Sequence, residues 1–213
     1  MRLPLYQRAL RQLSADGIPT VSSAELADAA GVNAAKVRKD LSHLGTYGTP
    51  GTGYDVNFLL SQIRHELGLD REWTVVIIGM GNLGHALAHS DRFSNQNFRT
   101  VALFDVDPGK IGEEVDGLPI QHMSEFEQSV ASFDPSRSIG VIACPAAAAQ
   151  DACDRLVGVG IGAILNFAPA ILTVAPPVLL RQVDFVVELQ ALAFYIVHPE
   201  AVTGLEEGSP PGL

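Results

Sequence analysis

Cysteine is scarce in this chain of 213 residues, which has only Cys144 and Cys153. A C-x8-C pair is neither a zinc-ligand spacing nor a disulfide framework, so a reduced, cytoplasmic setting is expected. No secretory n-region and h-region open the sequence, and no apolar run approaches the roughly 18 residues that suggest a membrane span. Basic residues are also few, with 14 Lys and Arg against 24 Asp and Glu and a formal net charge of -10. Over the whole chain that balance argues against a nucleic-acid partner, because phosphate would repel it. The average conceals a segregation. Residues 1–72 carry eight basic and eight acidic side chains, whereas residues 73–213 carry six and sixteen. The N-terminal third alone can face DNA. At 47% hydrophobic and 18% charged, the chain can bury a core, and its length allows one large domain or two compact ones.

Leu3, Tyr6, Leu10 and Leu13 recur at helical spacing up to Asp16-Gly17. Ser22-Ser-Ala-Glu25 reads as a capping box that starts a second helix through Leu26 and Ala29-Ala30, ending at Gly31. Asn33 caps a third helix running to Gly45, and the pair has the form of a helix-turn-helix. On the third helix Val37, Leu41 and Leu44 share one face at about 100° per residue. Arg38, Lys39 and Ser42 lie opposite, Lys36 and His43 flank the apolar stripe, and Asp40 sits beside it. A helix that buries one face and presents Arg, Lys and Ser on the other suits a major groove, although a solvated surface face has the same composition. The Gly/Pro cluster Thr46-Tyr-Gly-Thr-Pro-Gly-Thr-Gly-Tyr54 is a hairpin signal. After such a helix it reads as the wing of a winged helix, its tip able to enter a minor groove. A fourth helix follows on Val56, Leu60, Ile63 and Leu67, and residues 68–72 form a polar joint.

Trp73-Thr-Val-Val-Ile-Ile78 is an apolar run leading into Gly79-Met80-Gly81-Asn82-Leu83-Gly84 and then a helical segment from His85 to His89. This is G-x-G-x-x-G after a buried strand and before a helix, the context that gives the motif its meaning. Gly79 makes the tight turn, Gly81 lets a pyrophosphate approach the backbone, and Gly84 allows close helix–strand packing. The helix N-terminus supplies amide donors. Asp105 closes the next strand, 21 residues beyond Gly84, and an acid there favours NAD(H) over NADP(H) by repelling a 2′-phosphate. Residues 123–133 read as a short helix. Ile139-Gly-Val-Ile-Ala143 is a third strand, residues 145–157 a helix, and Ala163-Ile-Leu165 a fourth strand. Ala143-Cys144-Pro145 and Asn166-Phe167-Ala168 then wall the nicotinamide side. Cys144 reads as a small apolar residue at a strand end rather than a redox thiol. His85 and His89 lack a third ligand, and no metal site is expected. His122 is expected to pack in a loop.

Residues 185–197 run Phe-Val-Val-Glu-Leu-Gln-Ala-Leu-Ala-Phe-Tyr-Ile-Val, apolar nearly all round. A helix covering one sheet face needs an apolar stripe of roughly 100°. This one therefore predicts burial in a second subunit, a homodimer in which the helix is exchanged, or else a fully internal helix. Residues 198–213 read as a disordered tail.

Together these features resemble the Rex family of redox-sensing transcriptional repressors. The resemblance rests on Arg2-Leu-Pro-Leu-Tyr6, Val21-Ser-Ser-Ala-Glu-Leu26, Val37-Arg-Lys-Asp-Leu-Ser42, Gly51-Thr-Gly-Tyr-Asp55, Gly79 to Gly84, Asp105-Val-Asp-Pro108 and Ile164-Leu-Asn-Phe-Ala-Pro169. It implies a homodimer that binds palindromic double-stranded operator DNA when NAD+ dominates and releases it when NADH rises. The implied fold is α/β: an N-terminal winged helix (1–68), a Rossmann-type NAD(H)-binding domain (73–182) and a dimer-exchanged C-terminal helix (184–197), then the tail (198–213). Candidate DNA contacts are Ser22, Ser23, Lys36, Arg38, Lys39, Ser42, Tyr47, Gly51, Gly53 and Tyr54. Candidate cofactor residues are Gly79, Met80, Gly81, Asn82, Leu83, Gly84, Asp105, Ala143, Pro145, Asn166 and Phe167. Pro50 stands in the wing where many family members carry a basic residue. Arg2 with Asp184 is a candidate ionic latch between the domains. Two other classes fit the cofactor motif, an NAD-dependent dehydrogenase and a nucleotide- or CoA-binding subunit of a hetero-oligomer. The first would need a proton-transfer set and a substrate domain, which the sequence after residue 166 does not display.

Overall fold

The computed structural model describes residues 2–45, 53–90, 93 and 96–203. They fall into two units, residues 2–70 with 193–203, and residues 71–192. The first division lies inside the polar joint at 68–72.

In the first unit, α1 (Leu3–Ala15) carries Pro4 in its opening turn, where a missing amide is harmless, and ends where Gly17 turns left-handed at φ 72°. The strand β1 (Thr20–Val21) leads to α2 (Ser23–Ala30). Its capping box is formed: the Glu25 amide donates to Ser22 Oγ at 3.2 Å and the Ser22 amide to the Glu25 carboxylate at 2.8 Å. Gly31 closes α2 at φ 66°, and the Asn33 side chain accepts the Ala35 amide at 2.7 Å to start α3 (Ala34–Leu44). β2 (Tyr54–Asp55) pairs antiparallel with β1, and Asp55 caps α4 (Val56–Glu66) through the Phe58 amide. Leu3, Tyr6, Leu10, Leu26, Val37, Leu41, Val56 and Ile63 share one core, as their spacing predicts. Leu13, Leu44 and Leu67 pack against it half-buried, and two further positions differ. α2 buries Ala27 rather than Ala29, and α4 turns Leu59 fully inward and leaves Leu60 half-buried. In α4 Leu59 is the i, i+3 partner of Val56, and in α2 Ala27 and Leu26 share the face of Ala30 at i, i+3 and i, i+4.

In the second unit, β3 (Trp73–Ile78), β4 (Phe98–Asp105), β6 (Leu118–His122), β7 (Ser138–Ile142), β8 (Ala163–Asn166) and β9 (Leu179–Gln182) are parallel, and β5 (Glu114–Val115) runs antiparallel on the edge. The order β5-β6-β4-β3-β7-β8-β9 places β3 at the centre, where the topology reverses. Val75 and Ile77 join one core, with Met80, Leu103, Ile120 and Val141; Val76 and Ile78 join the other, with Phe104, Phe126, Ile142 and Leu156. A strand buried on both faces has no need to alternate, hence its unbroken apolar run. α5 (Asn82–Ala88) follows the Gly-rich loop, and α7 (Ala146–Gly158) follows β7. α7 lies so close to the sheet that a Cβ at Gly140 would meet Leu156 Cδ1 at 2.5 Å.

The predicted helix at 123–133 is a 3-10 turn (Met123–Glu125) leading into the short α6 (Phe126–Val130). The hairpin β5–β6 and the edge strand β9 are additions. α8 (Phe185–Val197) forms as expected, with no buried residue in the chain described. Residues 198–203 are not irregular: the His198 amide extends α8 by donating to Phe194, and α9 (Glu200–Thr203) adds a turn. The rest of the expected tail and residues 46–52 of the wing lie outside the described residues. Among the described residues no helix is long and apolar enough to cross a membrane.

Candidate functional site

A cavity of about 600 Å³ opens at the carboxyl ends of β3, β4 and β7, where the sheet order reverses. Gly79 turns the chain out of β3 at φ 99°, so close to the β7 loop that a Cβ would stand 2.5 Å from the Cys144 nitrogen. A Cβ on Gly84 would lie 2.0 Å from the Gly79 carbonyl oxygen, whereas one on Gly81 would meet nothing within 4 Å. The three glycines thus divide the labour that the motif predicts: two permit close packing, and the middle one leaves its backbone open to the cavity.

Of the sequence-predicted cofactor residues, Gly79, Gly81, Asp105, Ala143, Pro145 and Phe167 line this cavity. Met80 is fully buried in the opposite core, Gly84 is buried, Leu83 is half-buried and Asn82 is exposed. Asn166 does not line it. Its side chain is buried and fully engaged, accepting the Ala168 amide at 2.9 Å and donating to the Ala170 carbonyl at 3.0 Å and Gln182 Oε1 at 2.6 Å. It braces the loop that carries Phe167. Cys144 lines the cavity half-buried, and burial, reinforced by Asp105 and Asp151, pushes its thiol pKa up and away from reactivity.

Asp105 lies deep beside the Gly-rich loop. Its Oδ1 accepts the amides of Val106 (2.7 Å) and Asp107 (2.9 Å); its Oδ2 accepts the Met80 amide (2.7 Å) and Lys110 Nζ (3.1 Å). Burial opposes its ionisation, yet these donors outweigh it and hold the carboxyl below its ordinary range. Sequence reasoning missed Asp107, Lys110, Met123, Asp151 and Arg155, which also line the cavity. Asp107 and Lys110 follow the chosen acid within five residues, and Asp151 and Arg155 sit one helical turn apart, a visible signal. Arg155 is held by a bidentate pair with Glu127 at 2.8 and 2.7 Å, and its guanidinium lies 5.3 Å over the Phe126 ring. His122 caps the 3-10 turn by accepting the Ser124 amide. His89 pairs with Asp116 at 2.8 Å, and among the described residues no group of three metal-ligating side chains gathers.

In the first unit Arg38, Lys39 and Ser42 are exposed on α3, as the helical wheel predicts, and Lys36 is half-buried. Arg38 Nη1 donates to Ser23 Oγ at 3.0 Å, and Ser42 Oγ to the Lys39 carbonyl at 2.8 Å. The Ser22 hydroxyl accepts the Glu25 amide in its capping box and keeps its O–H to donate. Gly53 serves packing: at φ 87°, a Cβ would stand 2.6 Å from the Val21 carbonyl oxygen. Tyr54 is half-buried against the core. Tyr47 and Gly51 lie outside the described residues. Asp40, on the edge of α3, is gripped by Arg2, whose Nε and Nη2 each donate to it at 2.7 Å; the Tyr6 hydroxyl adds a third bond at 2.7 Å. Arg2, considered above for Asp184, thus takes a partner within its own unit. Arg2 first, and Tyr6 after it, hold the Asp40 carboxyl below its usual range; burial, then the bond to Asp40, push the Tyr6 hydroxyl up to about 12.

Comparison with known proteins connects the two surfaces. A family described as a putative DNA-binding protein N-terminus matches residues 1–42, and one described as a CoA binding domain matches residues 70–170. The redox-sensing transcriptional repressor Rex of Streptomyces coelicolor is 54% identical over 99% of this chain and 81% of its own length. The chain belongs to the Rex family of redox-sensing transcriptional repressors. The Rex of Bacillus subtilis is 42% identical over 96% of this chain and 94% of its own. Two solved structures of the Rex-family repressor RSP share its fold at 33% identity. The complex with beta-NAD+ and operator DNA gives a TM-score of 0.86 over 98% of this chain and 95% of that one. The complex with beta-NADH gives 0.83 over 96% and 95%. Rex membership thus extends across both units, with the CoA-type profile describing only the second.

Proposed function

We propose that the chain is a transcriptional repressor, not an enzyme, which binds operator DNA as a homodimer and leaves it when NADH binds. The observation that carries this reading is the match to Rex repressors over both units, including a solved relative held by NAD+ and operator DNA. DNA contact falls to Lys36, Arg38, Lys39 and Ser42 on α3, with Ser22 and Ser23 at the start of α2 and the wing around Tyr47, Gly51, Gly53 and Tyr54. The cavity fits one end of a dinucleotide: Gly81 leaves its backbone open, much of the wall is apolar, and charged groups stand beyond β4 (Asp105, Asp107, Lys110) and on α7 (Asp151, Arg155). Gly79, Met80, Gly81, Asn82, Leu83 and Gly84 offer the phosphate-facing loop, and Ala143, Pro145 and Phe167 the wall. NAD(H) supplies no reaction here; it is the signal.

The working boundaries are 1–68 for the winged helix, 73–182 for the cofactor domain, 184–197 for the dimerisation helix and 198–213 for the tail. α8 supports the homodimer. Eight of its large apolar side chains are exposed, from 52% at Phe194 to 81% at Ile196. At about 100 Å² each they amount to roughly 800 Å², the share one partner contributes to a standard interface. Release requires a difference in affinity, since a ligand that binds both arrangements equally shifts nothing. The NADH-bound dimer must therefore present its two α3 helices at a spacing other than the roughly one helical turn that separates half-sites. Free thiols at Cys144 and Cys153 suit the reducing cytoplasm, where the operator would also be. The test is operator binding by the purified dimer across the NADH/NAD+ ratio at fixed salt. NADH should release the DNA at ratios where NAD+ does not; equal release by both would refute the sensing role.

A further inference from the structure

Building on the NAD(H) reading, we propose that Asp107, with Lys110 beside it, reads the cofactor's ribose and sets the preference against a 2′-phosphate, while Asp105 is a clamp for the Gly-rich loop. An ionised carboxylate offers about four acceptor positions. Those of Asp105 are taken, two by the amides of Val106 and Asp107, one by the Met80 amide and one by Lys110. Three of these donors are main chain, and a ribose could displace them only by opening the β4 turn and the loop after β3. Its side chain is also only 9% exposed. Two residues on, Asp107 lines the same cavity with a side chain 53% exposed. Its Oδ1 accepts the Gly109 amide at 2.9 Å, and its Oδ2 has Lys110 Nζ at 3.7 Å. That leaves the acceptors a vicinal diol requires.

Lys110 lines the cavity between the two acids and has more N–H groups than its bond to Asp105 uses. It can donate to a ribose oxygen while Asp107 accepts from the hydroxyls. The two carboxylates and one ammonium leave this end of the cavity with one net negative charge, which a 2′-phosphate would meet at Asp107. Neutralising Asp107 removes that repulsion and leaves Lys110 to pair with the phosphate.

Titration of the full-length chain with NADH and with NADPH, followed by nucleotide fluorescence, tests this together with thermal unfolding in the absence of nucleotide. Asp107→Asn should weaken NADH roughly 10- to 100-fold, the loss expected for hydrogen bonds to a charged group. It should also shift the NADH/NADPH preference at least tenfold towards NADPH without lowering the melting temperature. Adding Lys110→Met to that variant should then weaken NADPH. Asp105→Asn should lower the melting temperature and weaken both nucleotides in proportion. The opposite pattern, an unchanged preference in Asp107→Asn and a selective shift in Asp105→Asn, would overturn the assignment. An unmodified chain that binds neither nucleotide overturns the NAD(H) reading itself, a result distinct from either variant pattern.

Discussion

Alanine at Gly84 and alanine at Gly81 add the same methyl group to one loop, yet they should fail differently. At Gly84 the new Cβ would lie 2.0 Å from the Gly79 carbonyl oxygen and 3.0 Å from its carbon. Both are main-chain atoms, so no side chain can rotate away and α5 or the loop must move. Overpacking costs up to about 3 kcal/mol. The better helix propensity of alanine returns about 1 kcal/mol. The net loss of about 2 kcal/mol corresponds to a fall of about 4–8 °C in melting temperature for a chain of this length. At Gly81 a Cβ meets nothing within 4 Å, and the backbone there, at φ -79°, is open to any residue. Its loss as helix cap costs under about 1 kcal/mol. The methyl would instead stand where a pyrophosphate approaches the chain, and NADH affinity should fall at least tenfold. Thermal unfolding without nucleotide, paired with NADH titration, separates the two. A Gly81→Ala variant that binds NADH normally, or a Gly84→Ala variant that melts normally, would refute the division of labour among the glycines.

Tyr6→Phe removes a buried hydroxyl that ionises near 12 when folded but near 10 when unfolded, so the native chain should lose stability as pH rises from 10 to 12 and the variant should lack that component. Urea unfolding at pH 8 and pH 11 measures the difference, and equal slopes in both proteins would contradict it. Arg38→Ala should weaken operator binding and, if the guanidinium meets phosphate, reduce the salt dependence by about one unit; anisotropy titrations over a range of salt read both. Leu189→Glu places a charge on the exposed apolar face of α8 and should turn the homodimer into monomers by light scattering; a dimer that persists would show that α8 lies outside the interface.

The elements that sequence revealed are those whose periodicity and caps agree. Ser22, Asn33 and Gly31 bound α2 and α3 where their chemistry requires, and β3 announces itself by an apolar run that only a strand buried on both faces sustains. β9 was invisible because it is a largely exposed edge with no alternation, and its partner β8 decides its pairing. The β5–β6 hairpin did carry a signal: Asp116 and Gly117, at φ 51° and 76°, are the Asp-Gly of a tight turn. At the site, counting from Gly84 located the right strand end but could not reveal that Asp105 spends its oxygens on amides and Lys110. Hydrogen-bond capacity is a tertiary property. Asn166 illustrates the same limit: its position after β8 is right, while its side chain faces the Phe167 loop and Gln182. Arg2 likewise carried no sign of Asp40, 38 residues away, because the packing of α1 on α2 and α4 must first bring its start within side-chain reach of α3.

In the proposed homodimer, the bare apolar flank of α8 would tie this regulator's durability to its abundance. A chain whose helix completes its burial only in a partner gains stability by mass action, so its melting temperature climbs with protein concentration. Dilute or newly made chains then present Phe185, Leu189, Leu192 and Ile196 to every other sticky surface they encounter. A scarce repressor of this design would be lost to aggregation and proteolysis faster than a plentiful one. Its working level in the cell accordingly has a floor set by one thirteen-residue helix.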